Sequence, residues 1–174
     1  MPQISFTTFS AKTLLRDYVV SSSGMSAGDK NRFYRYCWEI HVLQPDWEFS
    51  QSSVSETVPY GGRSQVVFYQ QGCGEMYELA QSVRHLNHAA QNWQRGQDVW
   101  GKPGVAVRSI GDLPCSIYTG NKFDNNVKVL CPNDPKDLPA IWAFCSSPEF
   151  REAVRQFNQK MSVDPSYLTN IPFD

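Results

Sequence analysis

VAVRSIGDLPCSIYTGNKFDNNVKVLCPNDPKDLPAIWAFCSSPEFREAVRQFNQKM, residues 105–161, places strand patterns before helix patterns. Residues 105–110 are apolar and β-branched enough for a strand, Gly111 and Asp112 form a turn, residues 114–118 make the next strand and residues 127–131 a third. The period then changes. Residues 138–145 read as a compact apolar helix, and Ser147, Pro148 and Glu149 supply a cap, a proline at the first helical position and an acid in the first turn of another. The inward face of that helix is Phe150, Ala153, Val154, Phe157 and Met161, and Pro165 lies beyond its end. Strands first and helices inserted or last predict an α+β domain, with a mixed, mostly antiparallel sheet, one long amphipathic helix upstream and two C-terminal helices.

The long helix is predicted over residues 75–95, where Met76, Leu79, Val83, Leu86, Ala90 and Trp93 recur at alternating spacings of three and four. Without flanking charge pairs this is a core-facing stripe rather than a coiled coil. His85 and His88 sit one turn apart on its other side, but no third ligand accompanies them, so no metal site is expected. Residues 33–43, FYRYCWEIHVL, alternate partially and predict a strand with one apolar face of Tyr34, Tyr36, Trp38, Ile40 and Val42. The aromatics Tyr34, Tyr36, Trp38 and Trp47 read as core rather than as base-stacking groups. Residues 44–62 hold Pro45, Pro59 and the Gly61-Gly62 pair and predict a long loop, followed by a short strand over 66–69. Residues 21–24 read as a loop, and residues 1–20 as weakly structured.

A chain of 174 residues fits one domain and excludes two complete catalytic domains. Its 41% hydrophobic content can fill a core, which excludes disorder as the main state. Sixteen basic against seventeen acidic side chains leave no bulk positive field, so any basic surface must be local. No apolar run is long enough for a signal peptide or a membrane span, and a cytoplasmic protein without membrane contact is expected. Cys37, Cys73, Cys115, Cys131 and Cys145 are odd in number and contain no CxxC pair, so buried free thiols are expected rather than disulfides or zinc. There is no phosphate-binding glycine loop, nucleophile elbow, HExxH or paired-aspartate motif, and therefore no visible catalytic residue. Asp112 and Asp124 stand beside glycine or asparagine, where an aspartate is more often a turn former than a general base.

Two segments carry a resemblance. Residues 101–174, with the strings YTGNKFDNN and LPAIWAFCSSPEF, resemble the C-terminal part of Eco57I-like adenine-specific DNA methyltransferases, including those of restriction-modification and BREX-type phage-defence systems. Residues 24–40, GMSAGDKNRFYRYCWEI, are similar to the glycine-rich entry of that family's TaqI-like target-recognition region, and Gly61-Gly62 falls where the family has a Gly-Gly loop. Ala27 stands where the family usually has Thr, Lys30 where Asn is expected, and Cys37 where Trp is common. The resemblance implies a single DNA target-recognition domain over residues 1–174. The S-adenosylmethionine-binding domain and its Asn-Pro-Pro-aromatic motif are absent from the sequence, so methyl transfer would belong to a catalytic domain or subunit acting as partner.

Such a domain must fix register on duplex DNA before an adenine is flipped out. The resemblance makes the glycine loops candidates for close backbone approach to phosphates, at Gly24, Gly28, Gly61 and Gly62, with Arg32, Arg35 and Arg63 in or beside them. Lys102, Arg108 and Lys122 form a second basic set with Lys128, and Asn121, Asn125 and Asn126 could read adenine in bidentate fashion. Arg32 and Arg63 are both expected in exposed loops. The competing expectation is an orphan specificity-like domain that serves as a protein-interaction or decoy partner of a methyltransferase or restriction complex. Near-neutral charge fits that reading, and salt dependence separates the two.

Overall fold

Two four-stranded sheets organise the chain, and the first is closed by its N-terminal strand. The computed structural model describes residues 13–86 and 88–173. In chain order these form β1 (Val19–Ser23), α1 (Lys30–Phe33), β2 (Tyr34–Tyr36), β3 (Trp47–Gln51), β4 (Gln65–Phe68), α2 (Glu75–Val83), β5 (Gly104–Arg108), β6 (Cys115–Tyr118), β7 (Lys122–Phe123), β8 (Val127–Pro132), α3 (Leu138–Cys145), α4 (Pro148–Phe157) and α5 (Pro165–Thr169), with short 3-10 turns between. The first sheet, β1-β8-β5-β6, is antiparallel throughout; the second, β2-β4-β3-β7, is antiparallel except where β3 meets β7. With helices gathered at the C-terminal end, this is the α+β arrangement expected. No helix among the described residues is long and apolar enough to cross a membrane.

The first sheet is covered on both faces, which is why its central strands are apolar at successive positions. Val105, Val107, Cys115 and Leu130 pack against Ile141, Cys145, Phe150, Val154 and Leu168 of the helices. Ala106, Tyr118, Val129 and Cys131 on the other face meet Val99 and Phe123. A separate core under the second sheet joins Phe33, Tyr34, Val67 and Tyr69 to Met76, Ala80 and Trp93.

Several expectations require correction. Residues 21–23 are not a loop: Ser21, Ser22 and Ser23 pair with Leu130, Val129 and Lys128, because an edge ladder satisfies the backbone and leaves the hydroxyls free to reach other partners. Leu15 and Val19 are buried in the stretch expected to be weakly structured, of which residues 1–12 lie outside the described residues. The strand over 33–43 ends after three residues, since the Tyr36 N–H donates to the Glu39 carboxylate at 2.6 Å and the chain turns over Cys37–Glu39, leaving Trp38 and Val42 exposed. The loop over 44–62 contains β3, whose polar Ser50 and Gln51 are buried between neighbours.

The long helix over 75–95 is divided. α2 stops at Val83, and a 3-10 segment over His88–Gln94 carries Trp93 back into the same core while Leu86 is left exposed. On α4 only Phe150 and Val154 are fully buried; the helix ends at Phe157, so Phe157 and Met161 project into solvent. Cys37 and Cys73 are also exposed, whereas burial pushes the Cys115 thiol up to about 11 and Cys131 to about 12. Among the described residues no group of three or more His, Cys, Asp or Glu side chains is placed to hold a metal ion.

Candidate nucleic-acid interface

The two segments that carry the resemblance are joined in space. The Met25 N–H donates to the Phe123 carbonyl at 2.9 Å and the Gly24 N–H to Val127 at 3.2 Å, with Met25 and Asp124 forming a parallel bridge. Gly24 is not open to a phosphate as expected: it is buried, its N–H is taken by Val127, and a Cβ there would lie 1.9 Å from the Asp124 carbonyl oxygen. From this junction the first segment continues through Gly28, an exposed turn at φ +77°. It then enters α1, whose first turn is capped by the Asp29 carboxylate accepting from the Arg32 N–H at 3.0 Å. The second segment turns at Asp124, whose carboxylate accepts from the Asn126 N–H at 2.9 Å and leaves Asn125 and Asn126 exposed at the tip.

Gln51 ties a third loop to this junction. Its carbonyl accepts from the Asp124 N–H at 3.1 Å. Its buried side-chain amide donates to Gly61, Ser116 and Ile117 at 3.3, 3.0 and 3.1 Å. Gly62, at φ +72°, follows, and its carbonyl accepts from the Ser52 N–H at 2.7 Å. Sequence reasoning missed Gln51 because a polar residue inside a serine-rich stretch reads as loop, and only the β3–β7 pairing reveals its position.

The basic residues divide by environment. Arg108, half-buried at the end of β5, lies beside the tip, since the next residue, Ser109, donates its N–H to Asn126 at 2.8 Å. Lys102 and Asn121 lie at the opposite end of that strand: Lys102 donates to the Asp98 carbonyl at 2.7 Å, and Asn121 reaches Thr119 at 3.4 Å. Arg32 is exposed but paired with Glu75 at 2.6 Å, tying α1 to α2. Arg63 is half-buried rather than in an exposed loop; it donates to the Ile117 carbonyl at 3.2 Å and lies over the Tyr60 ring. Lys122 is buried, with its ammonium 2.7 Å from Glu48 and 3.9 and 4.3 Å from the Trp100 and Tyr69 ring centres, so its charge is answered inside the protein. Arg35 donates to the Asn31 and Tyr34 carbonyls, both at 2.6 Å, beside α1.

Asp124 is the electrostatic centre of the junction. Burial raises its carboxyl above the ordinary 3.8, against the opposing pull of the Asn126 N–H, Lys30 and Lys128. Burial likewise lowers the Lys128 ammonium; Asp164 and Asp124 oppose the shift and Arg95 adds to it. Lys128 is itself buried and donates to the Asn125 carbonyl at 2.9 Å, so the exposed cations near the tip are Lys30, which acts on Asp124, and Arg95, which acts on Lys128; neither was marked by sequence reasoning. A raised carboxyl disfavours the folded state above its folded titration point, and that penalty vanishes as pH falls towards the unfolded value. Asp124→Asn keeps an acceptor for Asn126, so at about pH 7.5 it should melt above the parent, with the gain shrinking towards acid. Thermal melts across pH check this, and a gain independent of pH would reject the electrostatic cause.

No protein-family model matches this chain, and no curated protein matches it.

Proposed function

We propose that this chain is a DNA sequence-recognition module of a site-specific adenine-N6 DNA methyltransferase from a restriction-modification or phage-defence system. It binds duplex DNA and positions the target adenine for a catalytic domain or subunit that binds S-adenosylmethionine. The observation that carries this reading is the junction itself. The two segments that resemble the methyltransferase family meet around Gly24, Met25 and Asp124, and they display Asn125, Asn126 and Arg108 with Lys30 and Arg95 in one region. Asparagine can pair with an adenine edge, and cations can hold the adjoining phosphates.

Selection of duplexes from a random library by the purified chain, at two salt concentrations, tests the reading. An enriched motif is expected, with affinity falling as salt rises. Lys30→Glu with Arg95→Glu should lower duplex affinity at least tenfold and flatten the salt slope by about 0.9 for each phosphate that is no longer neutralised. Unchanged affinity in the folded double variant would remove this surface from the interface. The second reading, a protein-interaction or decoy partner, is favoured by one observation, the exposure of Phe157 and Met161 beyond the helical core. It predicts a partner complex insensitive to salt and no enriched motif.

A further inference from the structure

Tyr36 and Trp38 stand at the surface as a stacked pair, with ring centroids 4.5 Å apart and planes 9° from parallel. Trp38 is 70% exposed and Tyr36 44%. The backbone beneath them is fixed: Tyr36 N–H is held by Glu39, and the Cys37 N–H donates to the Ser64 carbonyl at 2.9 Å. An indole left in water gives up the free energy that covering its apolar face would recover. Because the two rings are already stacked, a ligand has little side-chain freedom left to remove.

A cleft of about 400 Å³ adjoins the Tyr36 side of the pair, lined by Lys30, Asn31, Arg35, Tyr36 and Gln65 among others. The Arg35 Nη1 is anchored on two carbonyls, while Nε and Nη2 have no hydrogen bond among the described residues. Glu39, the one acid on the rim, keeps its charge while accepting from the Tyr36 N–H, so Lys30 and Arg35 leave the cleft with a net positive charge beside the aromatic pair. A planar heterocycle carried on a phosphate chain answers both features, the aromatic stack and the cations.

We propose that Trp38 and Tyr36 form a stacking platform for an unpaired nucleobase, with Lys30 and Arg35 holding its flanking phosphates. The inference rests on the DNA-recognition reading and deepens it, because a base inside a duplex has both faces covered and can stack on Trp38 only after leaving the helix.

Binding of the full chain to a paired duplex and to the same duplex with one bulged nucleotide, for the parent, Trp38→Ala and Trp38→Phe, tests it. The parent should prefer the bulged duplex by roughly tenfold or more. Trp38→Ala should abolish that preference while leaving melting temperature and paired-duplex affinity unchanged, and Trp38→Phe should restore most of it. If the parent binds paired duplex without preferring the bulge, or Trp38→Ala keeps the preference, the platform is overturned and the recognition reading stands. Absence of DNA binding at any salt overturns both.

Discussion

Gly24→Ala should lower the melting temperature by roughly 6–12 °C, the shift expected for a domain of this size when about 3 kcal/mol is lost to overpacking. The added methyl would lie 1.9 Å from the Asp124 carbonyl oxygen and 2.4 Å from its carbon, both backbone atoms that no rotamer change can move aside. Relief requires the chain to part at Gly24 and Met25, which breaks their hydrogen bonds to Val127 and Phe123. Duplex affinity should fall with stability, because the same parting separates α1 from the Asn125 tip. Gly28→Ala is the comparison. Nothing lies within 4 Å of its Cβ, and only the φ of +77° opposes it, so a loss of about 1 kcal/mol is expected. Calorimetric melts of both variants check the order; equal melting temperatures would show that the junction yields easily.

Lys122→Ala should cost about 3 kcal/mol and Lys122→Met about 2, since both remove the ammonium while methionine keeps the apolar stem. The Lys122 side chain is only 10% exposed, whereas Glu48 is 35% exposed and can recover water when abandoned, which holds the cost below that of a fully buried pair. Denaturant unfolding measures the loss. DNA binding then separates a packing role from a direct one. If Lys122 acts only through packing, Lys122→Met weakens binding without changing its salt slope, because the number of neutralised phosphates stays the same. A slope flatter by about 0.9 would show that the ammonium reaches a phosphate after all.

Where local signals and tertiary demand agree, the chain is readable. The turn at Gly111 and Asp112 and the runs of β5, β6 and β8 are legible because both sheet faces are covered. Ser147-Pro148-Glu149 marks the start of α4 because proline fits only the first helical turn. The misreadings share a cause. Ser21–Ser23 and Ser50-Gln51 are polar residues in strands, and their pairing with Lys128–Leu130 and with Gln65, Lys122 and Phe123 overrides a local preference for turns. Trp38 misleads in the opposite direction, since alternation continues past Tyr36 although the Glu39 carboxylate turns the backbone there. At the candidate site the glycines and asparagines are visible as residue types. Which cations are free is not. Lys122 and Arg63 are satisfied by residues distant in sequence, while Lys30 is brought to Asp124 and Arg95 to Lys128 only by the fold.

β7 belongs to the second sheet and β8 to the first, with only residues 124–126 between them. The tip carrying Asn125 and Asn126 is therefore a three-residue path between two ladders, and Phe123 at its start is packed into the first sheet's core. Such a tip cannot yield to a poorly fitting surface without loosening one ladder or the other. On the proposed reading, tolerance of near-matches would have to come from deformation of the DNA, because the tip itself behaves as a stiff gauge rather than an adaptable hand.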